Sequence, residues 1–293
     1  MKFHITHRTA YHYGEVVSSS YGLVHLLPRD AVGQICHDAQ VTIEPVPDEQ
    51  REHRDFFGNR VTYFEILSSH RDLAVTATST VEVDGRQISL PLLLNQAWEE
   101  ARITDRSSPE NLQATQYVLS TELAPGSEAL RAYASSSFSP GRPVLEALAN
   151  LSDRIHHDFA YKPGVTSVTT TADEVLAGRE GVCQDFAHVT IGCLRALGLA
   201  ARYVSGYLET DPPDGQPRLQ GTDVSHAWAS VYVPGAGWVD VDPTNSRLVN
   251  DRYITAAWGR DYRDVPPIKG VIYTDGTKHE LEVSVDVARV EEM

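Results

Sequence analysis

The sequence predicts an α+β protein built in two parts: a β-rich N-terminal domain, then a core in which a cysteine-bearing helix packs on an antiparallel sheet. Three observations carry this. Apolar residues alternate with period two from residue 1 to about 95, as in strands with one buried face. From about 96 to 140 the composition shifts to Ala, Glu, Leu and Ser, with Pro109, Pro125, Pro140 and Pro143 dividing it into short helices. From 141 to 293, helical three- and four-residue spacing gives way to alternating strands. At 293 residues and 41% hydrophobic composition, the chain has enough apolar material for a core.

In the first region Phe3, Ile5 and Ala10 to Tyr13 begin the alternation, followed by strands at 39–46, 60–67 and 72–83. The turns between them fall at 28-PRD-30, 45-PVPDE-49 and 57-FGN-59, and Asp84-Gly85 is a hairpin signal. Residues 96–140 form a helical connector. In the third region a helix spans 143–159, and Pro163-Gly164 marks a turn. The segment 171-TADEVLAG-178 reads as a helix with a Thr171–Glu174 capping box and a terminal Gly178. Phe186, Val189, Cys193 and Leu197 trace the apolar face of a helix from 183 to 197, with Gly198 as its C′ residue. Strands follow at 201–208, 226–233 and 237–242, the last two joined as a hairpin through 234-PGA-236, and the tail at 280–290 alternates as a final core strand.

The net charge of −15 is interrupted by no basic run, so the surface repels a phosphate backbone and no nucleic-acid partner is expected. The N-terminus lacks the apolar run of a signal peptide, and no segment approaches the roughly 18 apolar residues of a membrane span. A cytoplasmic location without membrane contact is expected. Three cysteines, Cys36, Cys183 and Cys193, are too few for a disulfide framework, and Cys183 and Cys193 on one helix stand about 15 Å apart. They are expected as reduced thiols.

A free cysteine is most often a buried small hydrophobe. Cys193, mid-helix, and Cys36, on a strand edge of the first domain, fit that description. Cys183 differs, because the first turn of a helix offers unpaired N–H groups and a dipole that favour a thiolate and supply oxyanion donors. A nucleophilic thiol needs a base, and the base an orienting group. His188 lies about 140° round the helix from Cys183 and points away. If Val233 pairs with Gly237, Trp228 stands opposite Asp242, and His226 and Asp242 become diagonal neighbours on one face, suited to a bond from Nδ1–H to the carboxylate. Asp240 shares the face but lies nearer the turn. No metal or cofactor is expected. Cys183, His188 and Cys193 spread about 140° apart cannot converge on one ion, and His156-His157 has no companion ligands. Trp228, Trp238 and Trp258 either wall a cleft or pack in the core.

The segments 158-DFAYKPGVTSVTTTADEVLAGREGVCQDFAH-188, 201-ARYVSGY-207, 226-HAWASVYVPGAGWVDVDPTN-245 and 259-GRDYRDVPPIKGV-271 closely resemble bacterial transglutaminase-like proteins of the papain-like cysteine superfamily. Residues 10–30 and 55–66 resemble the β-rich N-terminal domain of that family. The resemblance implies Cys183 as nucleophile, His226 as general base and then acid, and Asp242 as orienting carboxylate. The implied chemistry is thioester formation from an amide, resolved by water or by an amine. The substrates would be a peptide, a protein or a small amide, with an amine as alternative acceptor. Hydrolysis is the first reading, transamidation the second and a catalytically silent binding module the third. Animal transglutaminases place a tryptophan upstream of the cysteine as oxyanion donor, but here no Trp occurs between 99 and 227 and Gln184 follows Cys183. The candidate donors are the Cys183 N–H with either the Tyr161 hydroxyl or the Gln184 amide. Asp185 either binds a substrate amine or caps the helix.

Overall fold

Alternate residues of β1 (Lys2–Val24) bury Phe3, Ile5, Val17 and Val24, and this long strand organises the first part of the molecule. The computed structural model describes residues 1–84, 95–210 and 224–290. After β1 come β2 (Gln34–Glu44), β3 (Glu49–Arg54), β4 (Arg60–Ile66) and β5 (His70–Val83), in an antiparallel sheet ordered β2-β5-β1-β4-β3. The expected strands all form. Among these five the unforeseen one is β3, whose sequence EQREHR has no apolar alternation because it lies exposed at the sheet edge. The Asp84-Gly85 hairpin signal runs into residues outside the described ones.

Residues 96–140 form a short 3-10 turn at Trp98–Ala101 and helices α1 (Pro109–Thr115) and α2 (Glu128–Ser135). Ser108 and Ser127 accept N–H bonds at the two N-termini, offsetting orphan donors there. This stretch does more than connect: Leu130, Tyr133 and Ala134 of α2 join the main core cluster. Next come α3 (Val144–Asp158), the two-residue strand β6 (Ala160–Tyr161), α4 (Ala172–Gly178), the two-residue strand β7 (Glu180–Gly181) and α5 (Cys183–Ala196). The Thr171–Glu174 capping box is present, but Gly178 remains helical and Arg179 takes the left-handed conformation at φ 57°. Gly198, at φ 80°, occupies the expected C′ position after α5.

From Asp185 onward α5 is buried on every side. It packs on a five-stranded antiparallel sheet ordered β11-β10-β9-β8-β12, formed by β8 (Ala201–Leu208), β9 (Val224–Val233), β10 (Gly237–Asp242), β11 (Arg247–Leu248) and β12 (Tyr253–Gly259). Phe186, Val189 and Leu194 of the helix share one buried cluster with Ala229, Val231 and Val239 of the sheet, each large side chain contributing on the order of 2 kcal/mol by burial.

The last two strands, β13 (Ile268–Thr274) and β14 (His279–Arg289), correct one expectation. Both pair antiparallel with β1, so the terminal strand closes the N-terminal sheet instead of joining the core sheet. β14 runs beside the first half of β1 and β13 beside the second. Val285 and Val287 of β14 pack with Phe3, Ile5 and Val81, and the same cluster takes in Tyr207, Ile254 and Ala256 of the core sheet. Alternation shows that a strand forms but not which distant strand it pairs with, and β14 finds its apolar partners near residue 3.

Cys36 lies on edge strand β2, half-buried, and burial raises its pKa. Cys193 is fully buried and its pKa is likewise raised by burial; all three cysteines are free thiols.

Candidate active site

Cys183 is the first residue of α5, where helix geometry leaves its backbone N–H without an intrahelical acceptor. The helix start is fixed by Asp185, whose Oδ2 accepts from the Val182 N–H at 2.8 Å and from the Thr166 hydroxyl at 2.7 Å. Asp185 is only 1% exposed, and its bond from the Val182 N–H is that of a helix cap. Burial raises its pKa, partly offset by those two bonds. Just before the helix, Tyr161 pairs with Gly181 in the parallel β6–β7 bridge, which places its ring edge-on to Phe186 and close enough to Cys183 for the two to interact electrostatically. The Tyr161 side chain is 56% exposed and its hydroxyl has no hydrogen-bond partner among the described residues. Gln184, half-buried on the first turn, also has a free amide among them.

The β9–β10 register pairs Val233 with Gly237 and Val241 with Ala229, as the hairpin reading requires. His226 and Asp242 therefore meet diagonally, with His226 Nε2 2.8 Å from Asp242 Oδ2. The expected nitrogen was Nδ1. Nε2, at the tip of the ring, is the one that reaches the neighbouring strand, and the Cys183 side chain lies near enough to the same imidazole to help raise its pKa. Both groups are nearly inaccessible, His226 at 7% and Asp242 at 0% exposure.

The carboxylate is held from every side. Its Oδ2 also accepts from the Tyr253 hydroxyl at 2.7 Å and the Asn245 amide at 2.6 Å, while Oδ1 accepts the Thr244 N–H at 2.8 Å and the Asn245 N–H at 3.3 Å. Burial pushes the Asp242 pKa up, but the bonds from His226, Asn245 and Tyr253 outweigh it and the net shift is downward. For His226, burial pulls down while Asp242 and Cys183 pull up more strongly, and its pKa is raised. Sequence reasoning missed Tyr253, Asn245 and Thr244. The last two had a signal, since Asp-Pro-Thr-Asn is a turn in which an Asp accepts backbone N–H groups two and three residues on. Tyr253, from a strand that the sequence reading passed over, had none.

The remaining candidates stand apart. Asp240 accepts the Trp228 indole N–H at 3.1 Å, and His188 Nε2 accepts the Tyr262 N–H at 3.2 Å deep in the core. His156 bonds the Thr244 carbonyl at 2.7 Å. Among the described residues no group of three or more His, Cys, Asp or Glu side chains is arranged to hold a metal ion. Trp228 is a core residue, whereas Trp238 and Trp258 line a cavity away from the cysteine. Among the described residues no helix is long and apolar enough to cross a membrane.

Two family models match: the bacterial transglutaminase-like N-terminal region over residues 3–82 and the transglutaminase-like superfamily over residues 131–243. An uncharacterized protein of Mycobacterium tuberculosis is 46% identical over 298 residues, spanning 99% of this chain and 93% of that one. A protein-glutamine gamma-glutamyltransferase of Pseudomonas aeruginosa is 32% identical over 153 residues, covering 51% of this chain and 22% of the other. In structure, a Cytophaga hutchinsonii protein proposed to be a cysteine protease superposes with a TM-score of 0.73 at 22% identity, over 100% of this chain and 92% of that one, a likeness of fold. A cysteine opening a helix against an antiparallel sheet, a β-rich region ahead of it and these matches together show that the chain belongs to the transglutaminase-like superfamily.

Proposed function

We propose that the protein is a thiol-dependent acyl-transfer enzyme acting on amide bonds, with Cys183 as nucleophile, His226 as general base and acid, and Asp242 as orienting carboxylate. The observation that carries this is the 2.8 Å bond between His226 Nε2 and the buried Asp242 carboxylate, with the Cys183 side chain near enough to the same imidazole to raise its pKa.

In the proposed cycle His226 Nδ1 takes the thiol proton and Cys183 Sγ attacks the amide carbonyl. Carbonyl electrons move onto oxygen, where the Cys183 N–H and either the Tyr161 hydroxyl or the Gln184 amide donate to the developing charge. When the C–N bond breaks, His226 returns the proton to the leaving amine and a thioester remains. Water then attacks the thioester, with His226 accepting its proton, and the thiol is regenerated. Asp242, bonded to Nε2, stabilises the imidazolium that forms in each half.

Hydrolysis is the first reading because water is the default acceptor unless a site excludes it. Transamidation is the second, favoured by the similarity to a protein-glutamine gamma-glutamyltransferase over half of this chain. Intact-mass detection of an acyl-enzyme on Cys183, followed by partitioning of the thioester between water and an added primary amine, separates the two. Absence of any acyl-enzyme or turnover across a panel of amides and activated esters would leave a silent binding module as the better account.

A further inference from the structure

A cavity of about 1220 Å³ lies between the N-terminal sheet, helix α1 and the core sheet, and none of Cys183, His226 and Asp242 lines it. Along β8, β9 and β10 the cavity residues Arg202, Tyr232, Trp238 and Asp240 alternate with Ala201, Tyr203, Val231, Val233 and Val241, which belong to the core cluster around α5. The cavity therefore opens on the face of the sheet opposite the cysteine helix.

Its wall is a stack of rings and cations. The Arg202 guanidinium carbon lies 4.0 Å from the Trp238 ring centroid and 3.8 Å from that of Trp258, and the Arg29 guanidinium carbon lies 3.3 Å from Trp258. With two indoles stacked within 4.0 Å of its guanidinium carbon, Arg202 has its N–H groups left to make hydrogen bonds. Among the described residues no acceptor takes any of those N–H groups, no carboxylate forms an ion pair with Arg202, and Nε is buried without a partner although the residue is only 7% exposed. Arg29, at 8% exposure, gives one nitrogen to the Phe57 and Asn59 oxygens but also keeps a buried Nε unpartnered.

Arg195 shows how this fold treats a structural buried guanidinium. At 4% exposure it donates to the Tyr117, Ala124, Ala201 and Arg260 carbonyls and the Thr121 hydroxyl. Two neighbouring cations with free donors, in a low-dielectric wall, carry a desolvation cost that internal partners do not offset. Burial lowers the pKa of Arg202 to about 10, with Asp240 and Tyr117 pulling the other way. Asp240 also lines the cavity; one of its oxygens holds the Trp228 indole and the other is buried and unpartnered.

We propose that this cavity is a binding site for a small organic oxyanion, a carboxylate or phosphate ester, that also carries a hydroxyl or amine. The oxyanion bonds the Arg202 edge and Arg29 Nε, a charge-assisted geometry in which guanidinium forks excel, and the neighbouring donor bonds the free Asp240 oxygen. The aromatic wall of Trp238, Trp258 and Tyr117 packs against the carbon skeleton. Asp84 and Glu110, both exposed, stand toward solvent and set the site against highly charged polyanions.

Two of the four tryptophans flank Arg202, so the protein carries its own reporter. Full-length protein at constant ionic strength is titrated with inorganic phosphate, citrate and L-glutamate, chloride serving as control. The expected result is a saturable change in tryptophan fluorescence with at least one probe, affinity falling at least about thirtyfold in Arg202→Gln and surviving in Cys183→Ser. Which probe binds separates a phosphate from a carboxylate ligand. If Arg202→Gln does not fold, the parent and Trp238→Phe decide the matter: the probe must raise the parent's melting temperature, and most of the fluorescence change must vanish in Trp238→Phe. No saturable response to any probe up to about 10 mM, or equal affinity in Arg202→Gln, overturns the proposal.

Discussion

Replacing Asp242 by Asn keeps the shape of the residue and changes what its neighbours must do. Every hydrogen bond into the carboxylate comes from a donor: His226, Tyr253 and Asn245 on one oxygen, and the Thr244 and Asn245 N–H groups on the other. An asparagine must turn its NH2 toward one of these two groups. The backbone N–H groups cannot become acceptors, whereas the Tyr253 hydroxyl can rotate, the Asn245 amide can flip and the imidazole can change tautomer. The NH2 group therefore settles beside His226, whose Nε2 becomes the acceptor and whose proton moves to Nδ1, the nitrogen that should receive the Cys183 proton. The imidazolium also loses a buried charged partner, worth about 3–5 kcal/mol. At about 1.36 kcal/mol per tenfold, that is a roughly 150- to 5,000-fold loss of acyl transfer. Alkylation of Cys183 at pH 7 falls less, because an ordinary thiol is still about 3% ionised there and sets a floor near thirtyfold. The assay is ¹⁵N NMR of labelled histidine, read beside acyl-enzyme formation by intact mass. An unchanged His226 tautomer together with acylation within about threefold of the parent would refute the reasoning.

Further outcomes follow from the same contacts. Tyr253→Phe removes one of three donors to Asp242 Oδ2 and should slow acylation by about tenfold while the fold is kept, as judged by circular dichroism and acyl-enzyme kinetics. A Cβ on Gly206, the residue paired with His226, would stand 2.0 Å from the Ile254 carbonyl oxygen, so Gly206→Ala should lose about 2 kcal/mol or more in urea denaturation as β12 is forced away. His7 and His188 are kept neutral by burial, their pKa values lowered to about 4 and about 3, with Arg195 adding to the effect at His188. Unfolded histidines protonate below about pH 6.5 while these two do not, so stability is lost as pH falls from 6.5 toward 4, by about 1.4 kcal/mol per unit for each. Denaturation at pH 6.5 and 5 measures the slope, which His188→Gln should lower by about 1.4 kcal/mol per unit. Deleting residues 1–95 leaves β13 and β14 without β1, and the remainder should aggregate or show no cooperative transition by calorimetry.

Local chemistry was legible where it was self-contained. The Thr171 capping box, Gly198 beyond the cysteine helix and the 234–236 hairpin are short-range patterns, and the hairpin alone fixed the register that brings His226 to Asp242. What the residues did not reveal is non-local. The pairing of β14 with β1 joins positions 266 to 286 apart, and Tyr253 reaches Asp242 from a strand that was not recognised. Polar β3 hid because an edge strand need not alternate. The ring nitrogen facing Asp242 depended on the distance between diagonal strand neighbours, which spacing along a chain does not give. The tryptophans, open between cleft and core, divide between both, because the sheet has a covered face and a cavity face.

The central claim is tested most directly by alkylating the parent and His226→Ala with iodoacetamide across pH 5–9 and reading Cys183 and Cys36 separately by mass spectrometry. The account predicts that Cys183 outpaces Cys36 by at least about tenfold at pH 6 and that this advantage disappears with the imidazole. If Cys183 reacts no faster than Cys36, and the loss of His226 changes nothing, the thiol is not paired with a base and the protein is not the acyl-transfer enzyme proposed.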